Sequence, residues 1–208
     1  MPDRLVQDFP LFPLGLVALP SEAIPLHIFE DRYKAMMDQC LREDREFGIV
    51  WLSDDGLREI GCACRIERVL ERMDDGRMNV LTRGTRPVRV LERQAHLAYP
   101  AGVVEFIQDR PEEPDPDLAT IAHETYADLV KRATDADPDE AELAAMSAYD
   151  MAATVDFGLE AKQGLLDLRS ENARLRLVTR LFRAAIKRLD FVDRAQARAR
   201  SNGKVRFG

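Results

Sequence analysis

The sequence predicts an α+β fold in which a β-rich first half is followed by a helical second half. Hydrophobic residues alternate with period two up to about residue 110, and beyond it they repeat with a helical period. The composition is typical of a globular protein, since 46% of the 208 residues are hydrophobic and 32% are charged. We therefore expect a β-rich subdomain over residues 1–110 and a helical subdomain over residues 111–208.

The first half contains several short segments typical of half-buried strands. Apolar side chains alternate over residues 47–51, 60–66, 88–90 and 104–106. Asp75-Gly76 lies between two apolar runs and predicts a tight hairpin, in which both turn residues would have positive φ. Short strands of this kind favour a small, mostly antiparallel barrel or rolled sheet.

One helix interrupts these strands. Tyr33, Met36, Met37, Cys40 and Leu41 recur at the spacing of one helix face. The pattern predicts an amphipathic helix in this segment.

The second half begins with a Pro-rich acidic stretch over residues 109–116, which we interpret as a stiff linker. Asp115-Pro116 predicts the start of one helix, and Asp137-Pro138 predicts the start of a second that carries Leu143, Met146 and Ala153.

A short helix around residues 159–168 and a long one after Ser170 complete the helical half. Apolar residues from Leu175 to Leu189 form one stripe along the long helix. From Arg194 to Gly208 the chain is rich in Arg and poor in apolar residues, and we expect it to fray or to be disordered.

A search for catalytic and metal-binding motifs nominates no residue, so we expect no metal and no cofactor. His123-Glu124 lacks a second histidine one turn later, because Ala127 stands there. Cys62 and Cys64 lie in an apolar alternating run without further ligands, so we interpret both as core residues. No glycine-rich loop is suited to hold phosphate.

The charges are unevenly distributed along the chain, whose formal net charge is -7. Residues 109–142 are strongly acidic, and residues 161–208 are strongly basic. We favour mutual neutralisation of the helices over an interface for RNA or an acidic partner. The candidate basic patch consists of Arg180, Arg183, Lys187, Arg188, Arg194 and Arg198.

Several motifs resemble the Lon protease N-terminal (substrate-binding) domain. They are Phe12–Pro20 (FPLGLVALP), Ile24–Tyr33 (IPLHIFEDRY), Ile60–Ile66, Asp75-Gly76-Arg77 and Leu81–Gly84. The likeness covers about residues 9–108, and a weaker one continues into the helical half at residues 161–168. Cys62 and Cys64 depart from the small or β-branched residues usual in the family.

The resemblance implies a PUA-like, mostly antiparallel β pseudo-barrel followed by a C-terminal α-helical bundle. It also implies that the protein recognises protein substrates. The ATPase and Ser-Lys peptidase modules that follow in the full proteases are missing from these 208 residues. We therefore expect a stand-alone, non-enzymatic binding protein or adaptor without ATPase or peptidase activity.

One loop is a candidate protein-binding element. Leu16, Val17, Leu19 and Pro20 form an apolar loop between strands that could contact exposed hydrophobic segments. The alternative, which we favour for this loop, is that it covers the end of the barrel. In the next motif we expect Phe29 and Tyr33 to pack inward.

The favoured partners are therefore unfolded or selected polypeptides or a partner protein. RNA binding through the basic C-terminal third is the second hypothesis, because PUA-like folds also bind RNA. A small-ligand or hydrolytic domain is the third, although no residue supports it. The chain has no signal peptide and no apolar run near the ~20 residues of a membrane span, and its three cysteines suit a reducing compartment. We therefore expect a cytoplasmic protein that does not bind membranes.

Overall fold

A computed structural model of the chain describes the backbone of residues 5–202 and the side chains of residues 5–192, 194 and 195. The strands are β1 (Val6–Leu14), β2 (Ala23–Ile28), β3 (Phe47–Ser53), β4 (Gly56–Leu57), β5 (Ile60–Arg72), β6 (Met78–Gln94) and β7 (Ala101–Phe106). The helices are α1 (Asp31–Glu43), α2 (Pro116–Thr134), α3 (Glu140–Ala145), α4 (Ala148–Ala152), α5 (Leu159–Leu166) and α6 (Glu171–Asn202).

Five strands form a closed barrel. Their order is β1-β7-β6-β5-β3, and β3 returns to pair with β1, which closes the ring. The β1–β3 pair is parallel and the other pairs of the ring are antiparallel. The short β4 pairs with β3, and β2 pairs with the first part of β6. The predicted α+β class with a mostly antiparallel sheet is confirmed.

The barrel is filled by alternating apolar side chains, as the period-two pattern predicts. The central cluster joins residues from five strands: Phe9, Leu11, Val50, Ala63, Val88 and Val104. Cys62 and Cys64 are also fully buried, which confirms that they are core residues.

The helix α1 buries one face against this sheet. Tyr33, Met36, Met37 and Cys40 are buried, whereas Leu41 lies partly exposed at the edge of the apolar stripe. The ring of Tyr33 packs against Phe12 of β1 at a centroid distance of 4.2 Å, with the two rings tilted by 37°. The helical spacing in the sequence therefore predicted the correct face.

The β5–β6 hairpin differs in detail from its prediction. The Met73 carbonyl accepts a hydrogen bond from Gly76 N, and Met73 N donates to the Arg77 carbonyl. The loop thus has three residues, and in it only Gly76 has a positive φ, of 83°. Asp75 avoids the left-handed region, and its carboxylate instead accepts hydrogen bonds from the backbone N–H and the Nε of Arg77.

The chain divides into two compact units that interleave along the sequence. One comprises the residues up to Glu112 together with Ala152–Ser170, so that α5 belongs to the barrel unit. The other comprises Glu113–Met151 and the residues from Glu171 onward. Hydrogen bonds hold part of the segment interpreted as a linker. Arg110 N donates to the Arg169 carbonyl, and the Ser170 hydroxyl donates to the Glu112 carboxylate.

In the helical unit, α2 begins as predicted, since the Asp115 carboxylate caps the helix and Pro116 is its first residue. The second predicted helix is wrong in two respects. Its cap is Asp139 rather than Asp137, and the segment is broken into α3 and α4 at residues 146–147. The carbonyl of Met146, at this break, instead accepts a hydrogen bond from His123 Nε2 at 2.8 Å.

The helix α6 begins directly after Ser170, as predicted, and packs on α2, where the rings of Phe182 and Tyr126 lie 5.4 Å apart. Leu175 and Val178, on the same side of α6, are also buried. It continues past Arg194 to Asn202, so the predicted fraying does not begin at Arg194. Residues 203–208 lie outside the described part of the chain.

Among the described residues, none of the helices combines the length and the apolar character needed to cross a bilayer.

Candidate functional site

The apolar loop predicted to bind protein lies mostly in the interior. Val17, Leu19 and Pro20 are buried, and only Leu16 retains part of its surface. These residues therefore adjoin one another, but they expose little that a partner could contact. Their burial favours the alternative that the loop covers the end of the barrel.

Local backbone contacts explain why this loop lies flat on β6. The Leu19 N–H donates a hydrogen bond to the Glu22 carboxylate at 2.9 Å, and the same carboxylate pairs with Lys162 of α5. The Leu19 carbonyl rests on Gly84, where a Cβ atom would lie only 2.0 Å from that oxygen. Ser21 N donates to the Gly84 carbonyl, and Gly84 N donates to the Glu22 carbonyl. A glycine in β6 thus lets the loop close over the core.

A second apolar segment, directly after this loop, is exposed instead. In β2, Ile24, Leu26 and Ile28 face the interior, while Pro25 and His27 face solvent. Phe29 continues the exposed series with 59% of its surface accessible, so the expectation that it packs inward is wrong. Its ring stacks on His27 at a centroid distance of 5.8 Å.

This exposed side of β2 forms one wall of a groove of about 600 Å³, which we call the β2 groove. The opposite wall includes Leu70 of β5, which has 49% of its surface accessible. The remaining lining residues are Pro25, Leu26, His27, Glu71, Asn79 and Val80. Two large exposed hydrophobic side chains, Phe29 and Leu70, therefore lie at or beside one concavity.

Hydrogen bonds fix the polar side of the β2 groove. His27 Nδ1 and Asn79 Oδ1 are 2.7 Å apart, and Asn79 Nδ2 donates to Glu71 Oε2 at 2.8 Å. Because the Asn79 amide nitrogen is used toward Glu71, its oxygen accepts the proton of His27 Nδ1. His27 Nε2 makes no described hydrogen bond, so it is free to meet a ligand.

The strand β2 is also an edge of the sheet. Among the described strands it pairs only with β6, in an antiparallel register from Ala23–Arg83 to Ile28–Met78. An edge strand beside an apolar groove is an arrangement that binds extended peptides in other proteins. Pro25, which has no N–H, limits how completely another strand could pair with this edge.

A second groove of about 610 Å³ lies elsewhere on the barrel unit. Its lining residues include Pro13, Leu57, Leu97, Pro100 and Arg93. Leu57 and Leu97 are half-buried here, whereas Phe29 and Leu70 are exposed.

Among the described residues, no three His, Cys, Asp or Glu side chains meet in a geometry suited to a metal ion. Burial raises the pKa of the Cys40 thiol to about 11 and holds the pKa of Cys62 well above its usual value. Both thiols therefore stay protonated near neutral pH, and neither is activated as a nucleophile.

The candidate basic patch lies on α6. Arg180, Arg183, Lys187, Arg188 and Arg194 are all exposed, while the side chain of Arg198 lies outside the described residues. Arg174, in contrast, is buried, where it pairs with Glu171 and lies over the Tyr149 ring at 4.5 Å. Arg174 is thus part of the helical core and not of the basic surface.

Residues 8–184 match the family described as the ATP-dependent protease La (LON) substrate-binding domain. The match covers most of the chain and includes the barrel, the β2 groove and much of α6.

Solved structures agree with this match. The chain is similar to a Lon N-terminal domain protein from Xanthomonas campestris, with 25% identity and a TM-score of 0.64 over 82% of this chain and 96% of that one. It is also similar in fold to the N-terminal domain of Mycobacterium avium complex Lon protease. There the identity is 17% and the TM-score 0.62, over 85% of this chain and 98% of that one.

Proposed function

The chain belongs to the LON substrate-binding domain family, and on this premise we propose that it is a non-catalytic module that binds unfolded or selected polypeptides through the β2 groove. It serves either as a recognition protein in its own right or as an adaptor that delivers bound polypeptides to a separate protease.

The observation that carries this proposal is the exposure of Leu70 in the β2 groove and of Phe29 beside it, where the Phe29 ring stacks on the lining residue His27. Large apolar side chains that remain exposed around a concavity are typical of interaction sites. Unfolded polypeptides differ from folded ones in presenting apolar side chains and unpaired backbone groups. The groove offers apolar contacts for the exposed side chains of such a polypeptide. The free edge of β2 and the imidazole of His27 offer hydrogen bonds for its unpaired backbone groups.

The chemistry of the described residues supports a binding role rather than catalysis. The cysteines are buried, and His123 is committed to a backbone carbonyl. His27 is exposed, but the group beside it is an asparagine and not a nucleophile. We therefore expect neither peptide hydrolysis nor ATP hydrolysis from the purified protein.

Binding of a permanently unfolded, carboxymethylated protein, measured by fluorescence anisotropy, tests the proposal. The variants Phe29→Ser and Leu70→Ser should each weaken binding by about fivefold or more, since each removes a large apolar contact worth about 1 kcal/mol or more. Leu91→Ser is the matched control, because Leu91 is as exposed as Leu70 (49%) but lies outside the groove.

The result that would refute the β2 groove as the site is equal binding by the wild type and both groove variants. If Leu97→Ser in the second groove then abolished binding, the polypeptide site would lie there instead. If the wild type itself did not bind the unfolded protein, the binding function would be refuted.

A further inference from the structure

We propose that one face of α6 binds the phosphate backbone of nucleic acids without reading their sequence. The face carries five cationic side chains, which we call the basic stripe: Arg176, Arg180, Arg183, Lys187 and Arg194. This site lies in the helical unit and is independent of the polypeptide-binding function proposed for the barrel unit.

The spacing of these residues places them in one line. Successive members are four, three, four and seven residues apart, which are the steps that return to the same side of an α-helix. At a rise of about 1.5 Å per residue, the stripe is about 27 Å long. It faces away from the buried side of α6, where Leu175, Val178 and Phe182 pack. All five side chains are exposed.

The charges of the stripe are not neutralised by the protein. None of its five members forms an ion pair with a described residue. Several cations of the barrel unit, in contrast, are paired with an acid: Arg77, Arg83, Arg86 and Arg89. No Asp or Glu occurs between residues 172 and 189 of the sequence. Asp190 lies beside the stripe, but its carboxylate is held by Arg132 of α2 at 2.6 Å. The expectation that the helices neutralise each other therefore does not extend to these residues.

The surroundings of the stripe favour phosphate over an acidic protein. Protein interfaces contain an apolar core, often with aromatic residues. Over the part of the stripe from Arg176 to Lys187, no large hydrophobic side chain of α6 is exposed. Phe191 and Val192, which are exposed, lie between Lys187 and Arg194, near the end of the stripe. Contacts to phosphate need no apolar core, because they depend on charge and on hydrogen bonds from guanidinium groups. Four of the five members are arginines, whose planar fork suits phosphate oxygens.

Binding of a polyanion would depend on the stripe and not on the net charge of the protein, because the chain as a whole carries a formal charge of -7. The acidic residues elsewhere repel a polyanion, so the interaction is expected to be weak and strongly dependent on salt. Each phosphate that a cation neutralises releases condensed counterions, which steepens the dependence of affinity on salt concentration. Four contacts predict a slope of log affinity against log salt of about -3 to -4 on duplex DNA.

The test measures anisotropy of fluorescein-labelled DNA duplex, single-stranded DNA and single-stranded RNA, each of about 20 nucleotides in length, between about 50 and 200 mM salt. The full-length chain is compared with a variant in which Arg176, Arg180, Arg183 and Lys187 are replaced by Gln. We expect the variant to lose affinity by at least about tenfold at the lowest salt and to lose most of the salt dependence.

A control variant removes the same charge from the barrel unit. It replaces Arg42, Arg65, Arg68 and Arg93, which are exposed and form no described ion pair, by Gln. This control should retain most of the affinity, because its arginines are not aligned on α6. Thermal unfolding should be alike for both variants, and binding of the unfolded polypeptide by the stripe variant should equal that of the wild type.

Three outcomes would overturn the proposal. The first is that the wild type binds none of the three nucleic acids at the lowest salt. The second is an equal loss in the stripe variant and the control, which would mean a response to net charge alone. The third is that the stripe binds poly-glutamate but not nucleic acid, which would make it a site for an acidic protein.

Discussion

The loop over residues 15–20 and the segment over residues 25–29 are both apolar and are only a few residues apart, but the loop is buried and the segment is exposed. Leu19 in the loop has no accessible surface, whereas Phe29 has 59% of its surface accessible. Apolar composition alone therefore did not distinguish a segment that completes the core from one that remains available to a partner.

The backbone distinguishes the two regions. In the loop, the Leu19 N–H is hydrogen-bonded to the Glu22 carboxylate, and the lack of a side chain at Gly84 lets the Leu19 carbonyl approach β6 closely. The apolar side chains of the loop therefore pack on the barrel. In β2 the alternation of a strand determines which residues are exposed, because Ile24, Leu26 and Ile28 take the inner positions and the residues between them face outward. Phe29 follows Pro25 and His27 in this outer series.

The largest effect is expected from Leu19→Ala. The substitution leaves a cavity beneath the loop and should lower the free energy of unfolding by about 2–5 kcal/mol, as buried leucines do. Chemical denaturation monitored by circular dichroism measures the change. Polypeptide binding by the protein that remains folded should not change, because Leu19 is not exposed.

Leu16→Ala is the control within the same loop. Leu16 is half-buried, so the loss of stability should be clearly smaller than for Leu19. A comparable loss at both positions would contradict the distinction between a buried and a partly exposed part of the loop.

A slightly smaller effect is expected from Gly84→Ala. The new Cβ would lie 2.0 Å from the Leu19 carbonyl oxygen and 3.0 Å from Cys62 Sγ, so the loop must move away from β6. We expect a loss of about 1–3 kcal/mol in the free energy of unfolding. Thiol labelling followed by mass spectrometry should show faster modification of Cys62, which burial keeps protonated and slow to react in the wild type.

Gly15→Ala is the matched glycine control. No atom lies within 4 Å of a Cβ built there, and its φ is not positive, so the substitution should be neutral or slightly stabilising. Destabilisation by Gly15→Ala as large as that by Gly84→Ala would mean that the close approach at β6 is unimportant.

The sequence predicted much of the fold because periodicity reports local burial. The apolar stripe of α1, the cap at Asp115 and the buried cysteines followed from local patterns. The close approach of the loop to Gly84 did not, because it depends on a contact between residues more than sixty positions apart. The break between α3 and α4 was also not predicted from the sequence, since it accompanies a hydrogen bond from the distant His123.

The candidate groove illustrates the same limit. The phase of β2 is readable from the sequence, because alternate residues of a strand face opposite sides. His27 and Phe29 therefore fall on the side opposite Leu26 and Ile28. The opposite wall was not readable, since Leu70 reaches the groove only through the pairing of β5 and β6, whose register is shifted by irregularities near Val69.

A small effect on stability is expected from Phe29→Ser, despite its large effect on polypeptide binding. Phe29 is mostly exposed, so the free energy of unfolding should change by no more than about 0.5 kcal/mol. Leu26→Ala, on the buried side of the same strand, should cost about 2 kcal/mol or more. Equal losses at the two positions, measured by denaturation, would show that Phe29 belongs to the core.

The smallest effect concerns Arg83, which donates to the carbonyl of Ser21, between the two regions, and pairs with Glu67 of β5. The hydrogen bond from Arg83 lowers the pKa of the Glu67 carboxyl. The associated stability is present above the pKa of Glu in the unfolded chain and is lost as the pH falls through the lower folded pKa. In Arg83→Gln, carboxyl NMR titration should show the pKa of Glu67 returning upward. The pKa of Asp75, lowered mainly by the backbone N–H of Arg77, should stay where it is. An unchanged pKa of Glu67 in Arg83→Gln would mean that this arginine does not hold the carboxylate in solution.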